Sequence, residues 1–131
     1  MKKISLFLTF AILLGILSGC SPKNSSFTES NNGQPTTIKV GAKLIIELDS
    51  NPSTGYTWEI SVIDERILKK SGDPEFKPAS STPMPGQGGT QIFYFEAVAP
   101  GTTTLTLIYH RPFETSVPPT KTYTIKVIVE K

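Results

Sequence analysis

From Thr36 to the C terminus, apolar side chains recur at every second position, and this period of two restricts the fold more than any other feature. Ile38 and Val40 alternate with polar neighbours, as do Leu44, Ile46 and Leu48, then Tyr56, Trp58, Ile60 and Val62. Phe93, Phe95 and Ala97 follow, then Leu105, Leu107 and Tyr109, and finally Tyr123, Ile125, Val127 and Val129. Successive side chains of an extended strand point to opposite faces, so such runs of β-branched and aromatic residues mark strands buried on one face. Turn signals separate them: Val40-Gly41, Asn51-Pro52 with Gly55, Ser71-Gly72-Asp73-Pro74, Pro85-Gly86 with Gly88-Gly89, Pro100-Gly101 and Pro118-Pro119. Residues 64–70 have room for one helical turn, too short to alter the class. The expectation is an all-β sandwich of about 95 residues.

The first residues follow another pattern. Met1-Lys2-Lys3 is basic, the run from Ile4 to Leu17 is apolar except at Ser5, Thr9 and Gly15, and Leu17-Ser18-Gly19 leads into Cys20, the only cysteine. A basic start, a short apolar stretch and small residues before a cut site describe an export signal, here residues 1–19. A membrane-spanning helix needs about 20 apolar residues, more than this run supplies. Residues 17–20 resemble the lipobox of bacterial lipoproteins. That resemblance implies cleavage before Cys20, a diacylglyceryl group on its thiol and acylation of the new amino terminus. The expected location is the bacterial cell envelope, on the outer face of the plasma membrane or on the outer membrane. Several acyl chains make a stable anchor where one is marginal. Residues 20–35 are rich in Ser, Asn, Gly and Pro and read as a flexible tether, leaving 36–131 as the folded domain.

Composition narrows the chemistry. Lys2 and Lys3 fall in the leader, so 11 of the 13 Lys and Arg residues remain against 11 Asp and Glu residues. With no net charge and no basic patch interleaved with aromatics, nucleic acid is not an expected partner. With Cys20 lipidated, no thiol remains for catalysis or for a disulfide. His110 is the only histidine, so no zinc set is available and no cofactor is expected. A Ser-His-Asp arrangement of Ser53, His110 and Asp49 is formally possible, but the Gly-x-Ser-x-Gly elbow is absent. Catalysis is not expected.

Loops remain. The longest irregular stretch, residues 77–89, holds three prolines and three glycines, and a loop of that length in a small domain is usually functional or disordered. Three connections have unusual composition: Asn51-Pro52-Ser53-Thr54-Gly55-Tyr56, Gly86-Gln87-Gly88-Gly89, and His110-Arg111-Pro112-Phe113. Counting alternate crossings between two sheets puts all three at one end of a sandwich. In this order, NPSTGYTW, GQGGTQIFYF and YHRPF resemble the chagasin-like inhibitors of papain-family cysteine peptidases. The resemblance covers residues 36–131 and implies an immunoglobulin-like antiparallel β-sandwich with three functional loops at one end. It further implies that the first loop enters the active-site cleft over the catalytic cysteine while the others clasp its walls. Asn51, Pro52, Ser53, Thr54, Gly55 and Tyr56 match the central motif, Gly86, Gly88 and Gly89 the second with Gln87 at its variable place, and Arg111 and Pro112 the third. Phe113 stands where the family often has tryptophan, and Ser53 where it has threonine. Tyr56 and Trp58 read as core residues rather than contacts.

These residue types suit such work. Pro52 fixes its own φ and restricts Asn51, Gly55 permits positive φ, and small hydroxyls at Ser53 and Thr54 fit beside a sulfur where bulk would clash. Arg and aromatic side chains such as Arg111 and Phe113 often dominate interface energies. The expected partners are thus papain-like peptidases and, through the lipid, a membrane, with the domain acting as a monomer. The competing expectation is a lipid-anchored immunoglobulin-like module for adhesion or envelope binding, using sheet faces rather than loops.

Overall fold

The computed structural model describes residues 23–82 and 84–131; the export signal of residues 1–19 and the lipidation site Cys20 lie outside them. The described chain is a β-sandwich of nine strands: β1 Ser25–Phe27, β2 Pro35–Lys39, β3 Lys43–Ser50, β4 Thr57–Val62, β5 Leu68–Lys70, β6 Glu75–Pro78, β7 Gly89–Ala97, β8 Gly101–His110 and β9 Lys121–Glu130. One sheet runs β1-β3-β7-β5, with β6 also paired to β7, and the other runs β2-β9-β8-β4. Two short 3₁₀ turns, Glu29–Asn31 and Pro52–Thr54, interrupt the strands.

The alternating positions build the core. Leu44, Ile46 and Leu48 of β3 and Phe93, Phe95 and Ala97 of β7 face Trp58, Leu105, Leu107, Tyr123, Ile125, Val127 and Val129 of the opposite sheet, all buried. Two apolar residues expected to face inward do not. Val40 lies in the turn after β2, and Val62 is 50% exposed because the β4–β8 register shifts between Ile60 and Val62. A bulge of one residue turns the following side chain to the other face.

Three features depart from the sequence expectation. The sandwich is mixed rather than purely antiparallel: β1 runs parallel to β3, and β2 parallel to β9. Residues 64–70 make one turn, closed by the Ile67 and Leu68 amides on the Asp64 carbonyl, and then enter strand β5. And much of the tether is folded. Phe27 packs against the core, Ser26 Oγ donates to Glu47 Oε1 at 2.7 Å, and the Asn32 side chain bridges the Thr122 carbonyl and the Thr124 amide of β9. Local composition favoured disorder there, but one aromatic with a core site and one amide with two backbone partners hold the segment down.

Candidate functional site

Register explains why three distant loops meet. Ser50, the last residue of β3, pairs with Gly89, the first of β7, while Thr57, the first of β4, pairs with His110, the last of β8. The connections β3–β4, β6–β7 and β8–β9 therefore leave the same pole. Only the first crosses between sheets; the other two are hairpins within one sheet, so the crossing count gives the right pole by a different topology.

The first loop is stiff because it spends its polar groups on itself. Pro52 starts the 3₁₀ turn, the Thr54 and Gly55 amides close on Asn51 and Pro52 carbonyls at 3.1 and 3.0 Å, and Gly55 ends it at φ 81°. Ser53 Oγ donates to Asn51 Oδ1, and Thr54 Oγ1 donates to the Asn51 carbonyl at 2.6 Å. Pro52, Ser53 and Thr54 form its exposed crest. That left-handed conformation is cheap only for glycine, and a Cβ at Gly55 would stand 3.1 Å from the Phe113 ring.

Single hydrogen bonds tie the other loops to it. Asn51 Nδ2 donates to the Gly86 carbonyl at 3.1 Å, joining loops one and two. Arg111 Nε donates to the Thr54 carbonyl at 3.1 Å, joining loops one and three. The same guanidinium lies 4.5 Å over the Tyr56 ring and donates to Glu114 Oε1 at 2.9 Å. The Glu114 bond holds its pKa above the ordinary arginine range, so its charge is permanent. Tyr56 stacks on Tyr109, whose ring also meets Trp58 and whose hydroxyl accepts the Asn51 amide at 3.0 Å. Trp58 is core, as its alternation indicates. Arg111 thus acts first as a strut between loops, and the aromatic ring free to meet a partner is Phe113, 71% exposed.

The second loop is less pliant than its glycines suggest. Gly86 has φ 77° with open space around it, but a Cβ at Gly89 would lie 2.2 Å from the Lys77 carbonyl and one at Gly88 3.2 Å from the Ser50 carbonyl. Gly89 is needed for β6 and β7 to close. Gln87 turns inward, its amide donating to the Thr82 carbonyl at 3.2 Å and accepting the Ser80 amide at 2.9 Å.

Sequence reasoning passed over two residues. Met84, 65% exposed on the second loop, adds an apolar tip beside the edge; its signal is a large apolar residue stranded among Pro and Gly. Gln91 reaches across the sandwich from β7 to β4 beneath the first loop. Its Oε1 accepts from the Trp58 amide at 3.0 Å and from the Ser50 and Thr57 hydroxyls at 3.3 Å each, and its Nε2 donates to the Trp58 carbonyl at 3.0 Å. A glutamine at an inward alternation position is the visible signal. No triad forms from Ser53, His110 and Asp49: Ser53 bonds Asn51, and His110 Nε2 shares a hydrogen bond with Glu59.

The family model of the chagasin family peptidase inhibitors I42 matches residues 37–127. The chain belongs to the chagasin family. Chagasin of Trypanosoma cruzi is 33% identical over 90 residues, covering 66% of this chain and 80% of chagasin. Amoebiasin-1 of Entamoeba histolytica is 30% identical over 106 residues, covering 80% of this chain and 99% of that protein. The crystal structure of a cysteine protease inhibitor from Entamoeba histolytica superposes with a TM-score of 0.73 at 27% identity, covering 82% of this chain and 96% of that one. The chagasin family is one of inhibitors, not enzymes, and the adhesion reading is not favoured. The family match begins at residue 37, so β1 and the first 3₁₀ turn lie before the matched region.

Proposed function

We propose that this chain inhibits papain-type cysteine peptidases by seating its loop edge in the active-site cleft. Residues 51–56 enter over the catalytic cysteine, and residues 86–89 and 111–113 bear on the walls. The observation that carries this reading is the cross-bonding of three loops at one pole, through Asn51 to Gly86 and Arg111 to Thr54. A papain-type site holds an activated thiolate in an open groove. A blocking loop must fill that groove and keep its own carbonyl carbons from attack. The 3₁₀ turn at residues 52–54 keeps the Asn51 and Pro52 carbonyl oxygens in its own bonds and Arg111 keeps that of Thr54, so none of the three is free to turn toward the donors of a peptidase's oxyanion hole. A preordered edge loses little freedom on docking, which favours tight binding by an interface of about 800 Å² per partner. Phe113 and Met84 supply apolar contact on either side.

The chain works as a monomer at the bacterial envelope, exported by residues 1–19 and held by lipid on Cys20; the lipobox-like residues 17–20 support this. Titrating papain with the chain tests the inhibitory reading. Stoichiometric loss of activity at nanomolar concentration is expected, and full activity at micromolar concentration of the chain refutes it.

A further inference from the structure

The pairing of β1 fixes which pole of the domain meets the membrane. β1 lies parallel to β3, Ser25 opposite Leu44 and Phe27 opposite Ile46, while β3 runs from Lys43 to Ser50 and ends at the loop edge. Ser25 therefore sits at the far pole. From Leu44 to Ser50 is six residues, about 20 Å along the strand, and the loops project beyond it.

Chain length then limits the geometry. Cys20 and Ser25 are five residues apart, a reach of at most about 17 Å fully extended. The domain is longer than that: ten-residue β9 alone spans about 34 Å. Had residues 20–35 all been slack, about 50 Å of reach would have let the domain take any orientation. With β1 in the sheet, the attachment point stays within about 17 Å of the lipid surface. The nearby turn exposes Val40 and Val98, brought together by the Gly41 amide on the Ala97 carbonyl at 2.8 Å, with Lys39 and Lys43 offset by Glu96 and Glu130.

We infer that β1 acts as an orienting strap: it holds the pole opposite the three-loop edge against the membrane and points the inhibitory edge outward, toward soluble peptidases arriving from outside. This rests on the lipid-anchor reading above. It commits to the kind of enzyme served, a diffusing peptidase rather than one embedded beside the inhibitor. A target lying flat on the same membrane would sit at the height of β1, not of the loops.

The test uses the full lipidated chain in vesicles of phosphatidylcholine and phosphatidylglycerol containing a headgroup-linked quencher. A fluorophore on Glu96→Cys, near Ser25, is compared with one on Ser116→Cys, beyond the edge. Severalfold stronger quenching at position 96 is expected; equal or reversed quenching overturns the inference, as does failure of the chain to join vesicles. Phe27→Asp, which frees β1, should bring the two signals together, and a persistent difference would mean that β1 is not the strap. Papain inhibition by vesicle-bound and detergent-dispersed chain is measured alongside. Agreement within twofold supports the outward edge, and a tenfold loss on vesicles overturns it. Absence of inhibition in both sinks the inhibitory reading alone, because quenching still reports orientation.

Discussion

The core and the loop edge of this molecule are held by opposite means. The core is redundant: Leu44, Phe95, Leu107, Ile125 and their neighbours are fully or almost fully buried, and each is supported by many others. The edge is sparse: one amide of Asn51, one nitrogen of Arg111 and one ring of Tyr109 locate the three loops. Damage to the core should therefore lower stability while sparing affinity, and damage to the edge the reverse. Gln91, half-buried between the sheets yet beneath the first loop, belongs to both.

The largest expected effect breaks the core. Phe95→Ala should cost about 3–5 kcal/mol of unfolding free energy, read by denaturant titration, while the protein still folded inhibits papain within about twofold of the parent. A large affinity loss would show that core and edge are not separable. Next comes Gly55→Glu, which forces a side chain into a left-handed conformation against Phe113. It should weaken inhibition at least about 100-fold, roughly 3 kcal/mol, while the midpoint of cooperative thermal unfolding falls by no more than about 8 °C. Gln91→Leu sharpens the comparison by straddling it. Unpairing the Trp58 backbone should cost about 1–3 kcal/mol, and loosening the ground under Asn51 should weaken inhibition severalfold. Loss of only one property would assign Gln91 to one region.

The sequence exposes these regions unequally. Period-two burial made the long strands legible, since every inward position from Leu44 to Leu48 and from Tyr123 to Val129 is core. Strands β1, β5 and β6 are three or four residues long and lie at sheet edges with little alternation, so no local pattern announces them. The loop residues stood out by composition. Their mutual bonds did not, because Asn51 to Gly86 and Arg111 to Thr54 join residues 35 and 57 positions apart. Arg111 looked like a contact residue for the same reason: no short-range pattern reveals that its Nε is engaged by the Thr54 carbonyl, 57 positions away.

The smallest effect concerns a flaw in the core. The Tyr123 hydroxyl is buried without a hydrogen-bond partner among the described residues, and burial pushes its pKa up to about 12. The unfolded chain ionises near pH 10, so this contribution is intact below pH 10 and is lost as pH rises toward 12. The loss is about 3 kcal/mol, from two pKa units at about 1.4 kcal/mol each. Tyr123→Phe should raise stability at neutral pH by about 1 kcal/mol and remove that alkaline component, with inhibition unchanged. An unaltered alkaline profile would refute the assignment.

The rung-like pairs Ser50 with Gly89 and Thr57 with His110 have a consequence for adaptation. Each connection departs from a fixed rung and returns to one, so its span can grow or change without shifting the frame that holds its neighbours. Doubling a flexible span costs only about 0.6 kcal/mol in closure entropy. The span between Pro78 and Gly89 is one such connection, and exchanging it with Gly86 retained should retune which cleft the molecule fits while the crest at residues 52–54 keeps its aim.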